Sequence, residues 1–85
     1  MYSIQLQRKA RKQVSKITDK TTRINIEEAI STLSDLPTAK NVKALTNHQY
    51  GYRLRVGNYR VLFDAQNDIQ IIDIQKVTKR HGNTY

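Results

Sequence analysis

Three arginines that alternate with apolar residues give this chain its clearest chemistry. They lie in the run Tyr-Arg-Leu-Arg-Val-Gly-Asn-Tyr-Arg-Val-Leu-Phe, residues 52–63. Two alternating runs joined by a two-residue Gly-containing loop are typical of a β-hairpin. Because side chains alternate between the two faces of a strand, this hairpin places Arg53, Arg55 and Arg60 on one face. A guanidinium group stays protonated and can grip two oxygens at once, so the pattern predicts an anion-binding site.

The predicted register also makes Arg55 and Arg60 direct cross-strand neighbours, because Val56 and Tyr59 close the hairpin. Like charges in that position cost about 0.2–1 kcal/mol relative to a neutral pair unless an anion lies between them. A purely structural hairpin has no need of such a pair, so we expect a ligand on this face. The opposite face is apolar and is predicted to pack beneath helices, through Tyr50, Tyr52, Leu54, Val56, Tyr59, Val61 and Phe63.

The composition limits the partner and the compartment. The 85 residues, 38% of them hydrophobic, allow one small domain spanning residues 1–85. A formal net charge of +8 favours a polyanionic partner such as nucleic acid or an acidic protein. The sequence has no cysteine, no pattern of a signal peptide and no apolar run that could span a bilayer, so we expect a cytoplasmic protein without a membrane partner.

No metal or other cofactor is expected. Asp64 and Asp73 lack a histidine or carboxylate partner at the spacing typical of metal ligands, and thiolate zinc sites are excluded because the chain has no cysteine.

The first half of the chain predicts a strand followed by two helices. Alternating apolar residues indicate a strand at residues 2–6, and helical spacing of apolar residues indicates a helix at residues 7–16. Asp19 is a candidate N-cap for a second helix, which begins near Lys20. This helix is predicted to close at Leu36, because the residue before a proline avoids the helical region.

The second half predicts three more strands. Residues 38–49 are polar and read as a loop that Val42 and Leu45 could hold to the core, and residues 65–68 read as a turn. Residues 69–77 form a strand that is apolar on much of both faces and therefore belongs inside a sheet. The prediction is an α+β fold in which a two-helix hairpin packs on a mainly antiparallel four-stranded sheet that includes the N-terminal strand, with a short C-terminal tail.

This order of elements, the Tyr52-to-Phe63 hairpin and a basic tail that ends in an aromatic residue resemble the RelE/ParE toxin superfamily over essentially the whole chain. The resemblance implies a RelE-like fold and the toxin half of a bacterial type II toxin–antitoxin pair. Many members cut messenger RNA on the translating ribosome, whereas the ParE branch poisons DNA gyrase. The implied partners are a cognate antitoxin, mRNA and the ribosomal A site, with operator DNA contacted only indirectly through the toxin–antitoxin complex.

The resemblance also implies roles for individual residues. The counterpart of Arg60 binds the scissile phosphate in the ribonucleases of the family, and the position of Arg53 is basic as well. Arg55, Lys79 and Arg80 are the further candidates for phosphate or RNA contacts, and the spacing leaves open which of the two tail residues makes one.

The resemblance implies that residues of the tail carry out proton transfer. His81 and Tyr85 have a spacing similar to that of catalytic residues in family members. A histidine titrates near pH 6.5, so it can both accept and donate a proton at neutral pH. The division of the acid and base roles between the two residues stays open. His48, in the loop before the hairpin, is either a turn residue or a substrate contact at the rim of the cleft that would bind the RNA.

The sequence thus predicts a metal-independent endoribonuclease toxin, with catalysis by His81, Tyr85 and Arg60. The first alternative is a gyrase poison, an inhibitory binding protein in which His81 and Tyr85 have no chemical role. The second is a plain nucleic-acid-binding module, whose binding would depend strongly on salt but would not be accompanied by cleavage.

Overall fold

The computed structural model describes residues 1–79, apart from the side chain of Pro37. Strand β1 (Ser3–Leu6) is followed by two helices, α1 (Arg8–Ser15) and α2 (Lys20–Ser31), and by a 3₁₀ helix at Thr32–Thr38. The remaining strands are β2 (Val42–Ala44), β3 (Tyr52–Val56), β4 (Tyr59–Gln66) and β5 (Ile71–Lys79). The predicted α+β class is therefore confirmed.

The helices begin where the sequence predicts them. Asp19 is the N-cap of α2, and its carboxylate accepts hydrogen bonds from the backbone N–H of Thr22, at 3.2 Å, and from the Thr22 hydroxyl. The hydroxyl bond and then the amide bond lower the pKa of Asp19 below its usual 3.8, because both favour the ionised carboxylate.

Helix α2 ends earlier than predicted. The sequence places its end at Leu36, but the α-helix stops at Ser31 and a 3₁₀ helix continues from there to Thr38. The hydroxyls of Ser31 and Thr32 each donate to a carbonyl oxygen three residues earlier, at 2.6 Å. Such side-chain bonds compete with the regular helical ladder, and they account for the tighter last turns.

The sheet has five strands in the order β1-β5-β4-β3-β2. Strand β1 runs parallel to β5, and the other neighbours are antiparallel. The prediction of an inner strand near residues 69–77 is confirmed, since β5 lies between β1 and β4.

The central hairpin has the predicted register. Val56 pairs with Tyr59, and Arg55 pairs with Arg60. Gly57 has a positive φ of 55°, whereas Asn58 is not among the residues with positive φ. Positive φ at the first loop position alone is typical of a type II′ turn, which is the reason for glycine here.

Two expectations about the strands were wrong. The sheet has five strands rather than four, because β2 lies within the segment predicted as a loop. A three-residue edge strand is too short for its alternation to be recognised, and it forms through its pairing with β3. The turn after β4 also begins later than predicted: β4 continues to Gln66, and Ile69, predicted to start the next strand, is exposed in the turn.

The hydrophobic core lies between the helices and one face of the sheet, which we call the covered face. Phe63, Leu54 and Ile74 on the strands are at most 1% exposed, as are Ile26 and Leu33 on the helical side. Tyr52 and Tyr59 pack against this core as predicted, and the Tyr52 ring stacks on Phe63 with centroids 5.3 Å apart. Tyr50, predicted on the same face, instead precedes β3 in a loop.

A bulge in β5 shifts the β4–β5 register between Leu62 and Phe63, so that Lys76 pairs with Leu62 and Ile74 with Phe63. The Val77 N–H donates to the side-chain oxygen of Gln13 on α1, at 2.7 Å. Strand β1 pairs with β5 only as far as Ile74. Helix α1 therefore satisfies a backbone donor of β5 beyond the end of that pairing.

Candidate nucleic-acid interface

The face of the sheet opposite the core, which we call the open face, is charged. The strand registers place on it Lys43, Arg53, Arg55, Arg60, Leu62, Asp64, Gln66, Asp73, Lys76 and Thr78. Its basic and acidic side chains lie at opposite ends of the strands. The basic residues, which we call the basic cluster, are Lys43, Arg53, Arg55, Arg60 and Lys76.

The predicted arginine pair forms the end of the basic cluster next to the hairpin turn. Arg55 lies directly opposite Arg60. The Arg55 N–H donates to the carbonyl oxygen of Asn41, at 3.0 Å, on the side away from β4. Arg55 and Arg60 are therefore a pair of the kind that is not hydrogen-bonded to each other, in which the side chains come closest. The geometry concentrates positive charge at one point of the sheet.

Arg53 lies in the middle of the basic cluster, between Lys43 on β2 and Leu62 on β4. Leu62 is only 8% exposed. The Nε atom of Arg53 is buried and has no hydrogen-bond acceptor among residues 1–79. A buried donor without an acceptor is costly, so an anion that reaches this guanidinium gains more than it would at a fully exposed arginine.

The other end of the open face holds two aspartates, Asp64 and Asp73, which are cross-strand partners. Asp73 is 8% exposed and accepts bonds from the side-chain amides of Gln66, at 2.7 Å, and Gln7, at 3.4 Å. Both donors are neutral amides, so these hydrogen bonds leave the charge of the Asp73 carboxylate unpaired by a cation. The open face thus changes from positive to negative along its strands.

The loop between β2 and β3 joins the open face at the acidic end. The Gly51 N–H donates to Asp64 Oδ1 at 2.7 Å. In the same loop the Tyr50 N–H donates to Nδ1 of His48, at 3.1 Å. This bond fits the interpretation of His48 as a turn residue. The His48 side chain is also exposed, which fits its interpretation as a substrate contact.

Lys79 lies apart from the arginines. It is exposed at the end of β5 and its cross-strand partner is Tyr59, a residue of the covered face. It lines a cleft of about 430 Å³ with Asp19 and Gly57 among its other walls. The structure therefore does not bring Lys79 to the basic cluster, and its RNA contact stays a prediction. Arg80, His81 and Tyr85 lie outside the described residues.

Two lysines of the basic cluster were missed as site residues by the sequence reasoning. Lys43 could not be placed because its segment was expected to be a loop, and only the pairing of β2 with β3 puts it beside Arg53. The position of Lys76 depends on the β5 bulge, which reverses the alternation along that strand. Neither feature has a clear signal in the sequence. No group of potential metal ligands occurs within residues 1–79.

A family model described as the ParE toxin of the type II toxin–antitoxin system parDE matches residues 4–83. A search of the curated proteins gave no significant match. Within the described part of the chain, no helix has the length and apolar character needed to cross a membrane.

Solved toxin structures share the fold. The RelE–RelB complex of Pyrococcus horikoshii matches with a TM-score of 0.80 and 23% identity over 98% of each chain. The RelBE2 toxin–antitoxin complex of Mycobacterium tuberculosis matches with 0.78 and 22% identity, over 93% of this chain and 98% of that one. The isolated Escherichia coli RelE toxin matches with 0.80 and 15% identity, over 99% and 89%. The family match spans nearly the whole sequence, and the chain therefore belongs to the RelE/ParE family of toxins of type II toxin–antitoxin systems.

Proposed function

We propose that this toxin is a metal-independent endoribonuclease that cleaves messenger RNA on the translating ribosome. The observation that carries the proposal is the arrangement of Arg55 opposite Arg60, with Arg53 on the same face. Such a cluster concentrates positive charge on one face of the sheet, and a phosphate backbone supplies anions at regular spacing.

The chemistry requires three contributions. A base removes the proton of the 2′-OH, the 2′ oxygen forms a bond to phosphorus while the bond to the 5′ oxygen breaks, and an acid protonates the leaving 5′ oxygen. The products are a 2′,3′-cyclic phosphate and a free 5′-OH. Fixed positive charge stabilises the extra negative charge on the phosphoryl oxygens, and the guanidinium groups of Arg60 and Arg53 suit this role because they stay protonated throughout.

The basic cluster consists of lysine and arginine side chains, and proton transfer is assigned to the tail. His81 and Tyr85 are the proposed acid and base, and Arg80 is a proposed phosphate contact. A positioned acid or base typically contributes about 10²–10⁴ in rate. Their proposed roles rest on the resemblance of the tail to that of family members.

A cognate antitoxin is the proposed protein partner. The similar toxins of P. horikoshii and M. tuberculosis were solved in complexes with antitoxins. An antitoxin for this chain should present carboxylates to the basic cluster, because the open face repels basic partners at that end. The ribosome and mRNA are the proposed targets, in the cytoplasm.

A gyrase poison is the second candidate, and the match to the ParE toxin family model favours it. In that case the basic cluster would bind an acidic surface of the enzyme or its DNA. The toxin would then stop growth through DNA damage, and His81 and Tyr85 would carry no chemistry.

The deciding experiment is inducible expression of the wild type, His81→Ala, Tyr85→Ala and the double variant, with mapping of message ends. We expect new ends with a 2′,3′-cyclic phosphate for the wild type and their loss in the double variant. Lys9→Ala, on the exposed side of α1, is the matched control and should cleave like the wild type. Growth arrest by all variants, with intact messages and induced DNA damage, would overturn the ribonuclease and favour the gyrase poison.

A further inference from the structure

The loop between β2 and β3 is held in a defined conformation by three hydrogen bonds. The Leu45 N–H donates to the Gly51 carbonyl oxygen at 2.9 Å and closes the loop at its base. The Gly51 N–H donates to Asp64 at 2.7 Å, and the Tyr50 N–H donates to His48 at 3.1 Å. These bonds close the base of the loop and attach its end to β4.

Asp64 and Gly51 fit each other closely. A Cβ atom on Gly51 would lie 3.2 Å from Oδ1 of Asp64, which is tighter than an ordinary contact. The other carboxylate oxygen of Asp64 lies 3.4 Å from the Nε2 donor of Gln75. Asp64 therefore ties the end of the loop to the open face through a neutral backbone donor rather than through a cation.

His48 has one ring nitrogen that remains available. Its Nδ1 accepts the Tyr50 N–H, so the neutral ring carries its proton on Nε2. The side chain of His48 is exposed, and its ring lies 6.0 Å from that of Tyr50 at an angle of 44°. The loop thus presents an N–H donor beside an aromatic ring.

The loop that carries this donor is attached to the acidic end of the open face, where the Gly51 N–H bonds to Asp64. Gly51 precedes Arg53 by two residues, which is about 7 Å along a strand. A phosphate is repelled there by Asp64 and Asp73, which lie opposite each other. An uncharged group is not repelled, and the bases of a bound RNA are uncharged and carry acceptors for an N–H donor.

We infer that the β2–β3 loop is the element that reads a nucleotide base beside the phosphate held by the arginines. His48 Nε2 donates to an acceptor on the base edge, and Asp64 is a positioning residue that fixes the loop. The inference rests on the proposed binding of RNA. It assigns sequence preference to a different part of the molecule from the tail.

Binding to short RNA tests the inference apart from cleavage. The probes are fluorescent hexanucleotides with 2′-O-methyl groups, which cannot undergo 2′-OH attack, together with a set in which one position at a time lacks its base. Anisotropy with the purified full chain gives the affinity for each probe. The wild type should bind about tenfold more weakly when the base read by the loop is missing, the size expected for one good base contact.

His48→Ala should remove this difference and leave the affinity for the corresponding abasic RNA unchanged. Asp64→Ala should reduce the difference, while Asp64→Asn, which keeps an acceptor oxygen for Gly51, should restore most of it. Arg53→Ala should weaken binding to every probe alike. Asp68→Ala is the matched control, because it removes the same charge from the exposed β4–β5 turn and should preserve the discrimination.

Equal wild-type affinity for intact and abasic RNA at every position would overturn the inference, even if messages are cleaved in cells. Discrimination that survives in His48→Ala would overturn it as well. Base discrimination lost in His48→Ala, without any message cleavage by the wild type, would support the loop as a base reader and refute the ribonuclease.

Discussion

The covered and open faces of the sheet are formed by the same strands but carry opposite kinds of side chain, apolar on the covered face and charged on the open face. On β4, Val61 and Phe63 are fully buried on the covered face, while Arg60 and Asp64 alternate with them on the open face. The covered face stabilises the fold by removing apolar surface from water. The open face instead places Arg55 directly opposite Arg60, and like charges in that position repel each other. The stability of this sheet therefore depends mainly on its covered face.

Phe63→Ala should have the largest effect, and it should lower the stability that the covered face provides. Phe63 is fully buried under the helices, and a cavity of that size typically lowers the free energy of unfolding by about 3–5 kcal/mol. Urea denaturation measures the loss, and Phe63→Leu should lose less. Because a small domain has little stability to spare, a Phe63→Ala protein as stable as the wild type would show that the covered face is not the main source of stability.

Arg60→Ala should lower the cleavage rate far more than it changes the stability. Loss of one fixed donor to the developing charge typically lowers the rate by about 10²–10³, whereas the free energy of unfolding should change by less than the ~3–5 kcal/mol expected for Phe63→Ala. Message cleavage in a translation extract measures the rate. Arg60→Lys should recover part of the rate, because lysine keeps the positive charge but cannot bind two oxygens at once as a guanidinium does. Equal loss of activity in Lys9→Ala would indicate a general effect of charge and not the open face.

Arg55→Thr should stabilise the free toxin. The substitution removes the like-charge pair with Arg60, and the free energy of unfolding should rise by about 0.2–1 kcal/mol. The gain should shrink at high salt, since exposed charges are screened. Thermal denaturation at low and high ionic strength checks this, and lost stability at both would mean that Arg55 is held by favourable contacts.

The smallest effect should be a pH dependence from the helical layer. Hydrogen bonds from Thr22 lower the pKa of Asp19 in the folded state, so its contribution is present above the unfolded pKa and is lost as the pH falls through the folded one. Asp19→Ala should therefore be less stable than the wild type at pH 7, and the difference should narrow below about pH 4. Thermal denaturation between pH 3 and 7 measures it. Asp19→Asn keeps the cap and should lose less; a difference that does not change with pH would contradict the assignment.

The parts of the molecule set by local patterns were predictable. Strict alternation and a glycine that needs a positive φ determined the hairpin and therefore the shared face of Arg53, Arg55 and Arg60. Asp19 as a helix cap follows from the same kind of local rule. These features need no knowledge of distant residues.

The parts that depend on tertiary pairing were not predictable. Lys43 joins the basic cluster only through the pairing of a three-residue strand, and Lys76 joins it only because of a bulge in β5. The contact between Gly51 and Asp64 spans 13 residues and uses a side chain in place of a ladder bond. Such features are decided by the neighbouring strand and not by the sequence around the residue.

The pairing of the first strand with the last one has a consequence for synthesis. Among the strands of residues 1–79, β1 pairs with β5 alone, more than 60 residues later. On a ribosome the early strand must wait until the final strand has emerged, because long-range pairing cannot precede the arrival of its partner. A nascent chain therefore cannot complete this sheet until residues 71–79 have emerged from the ribosome.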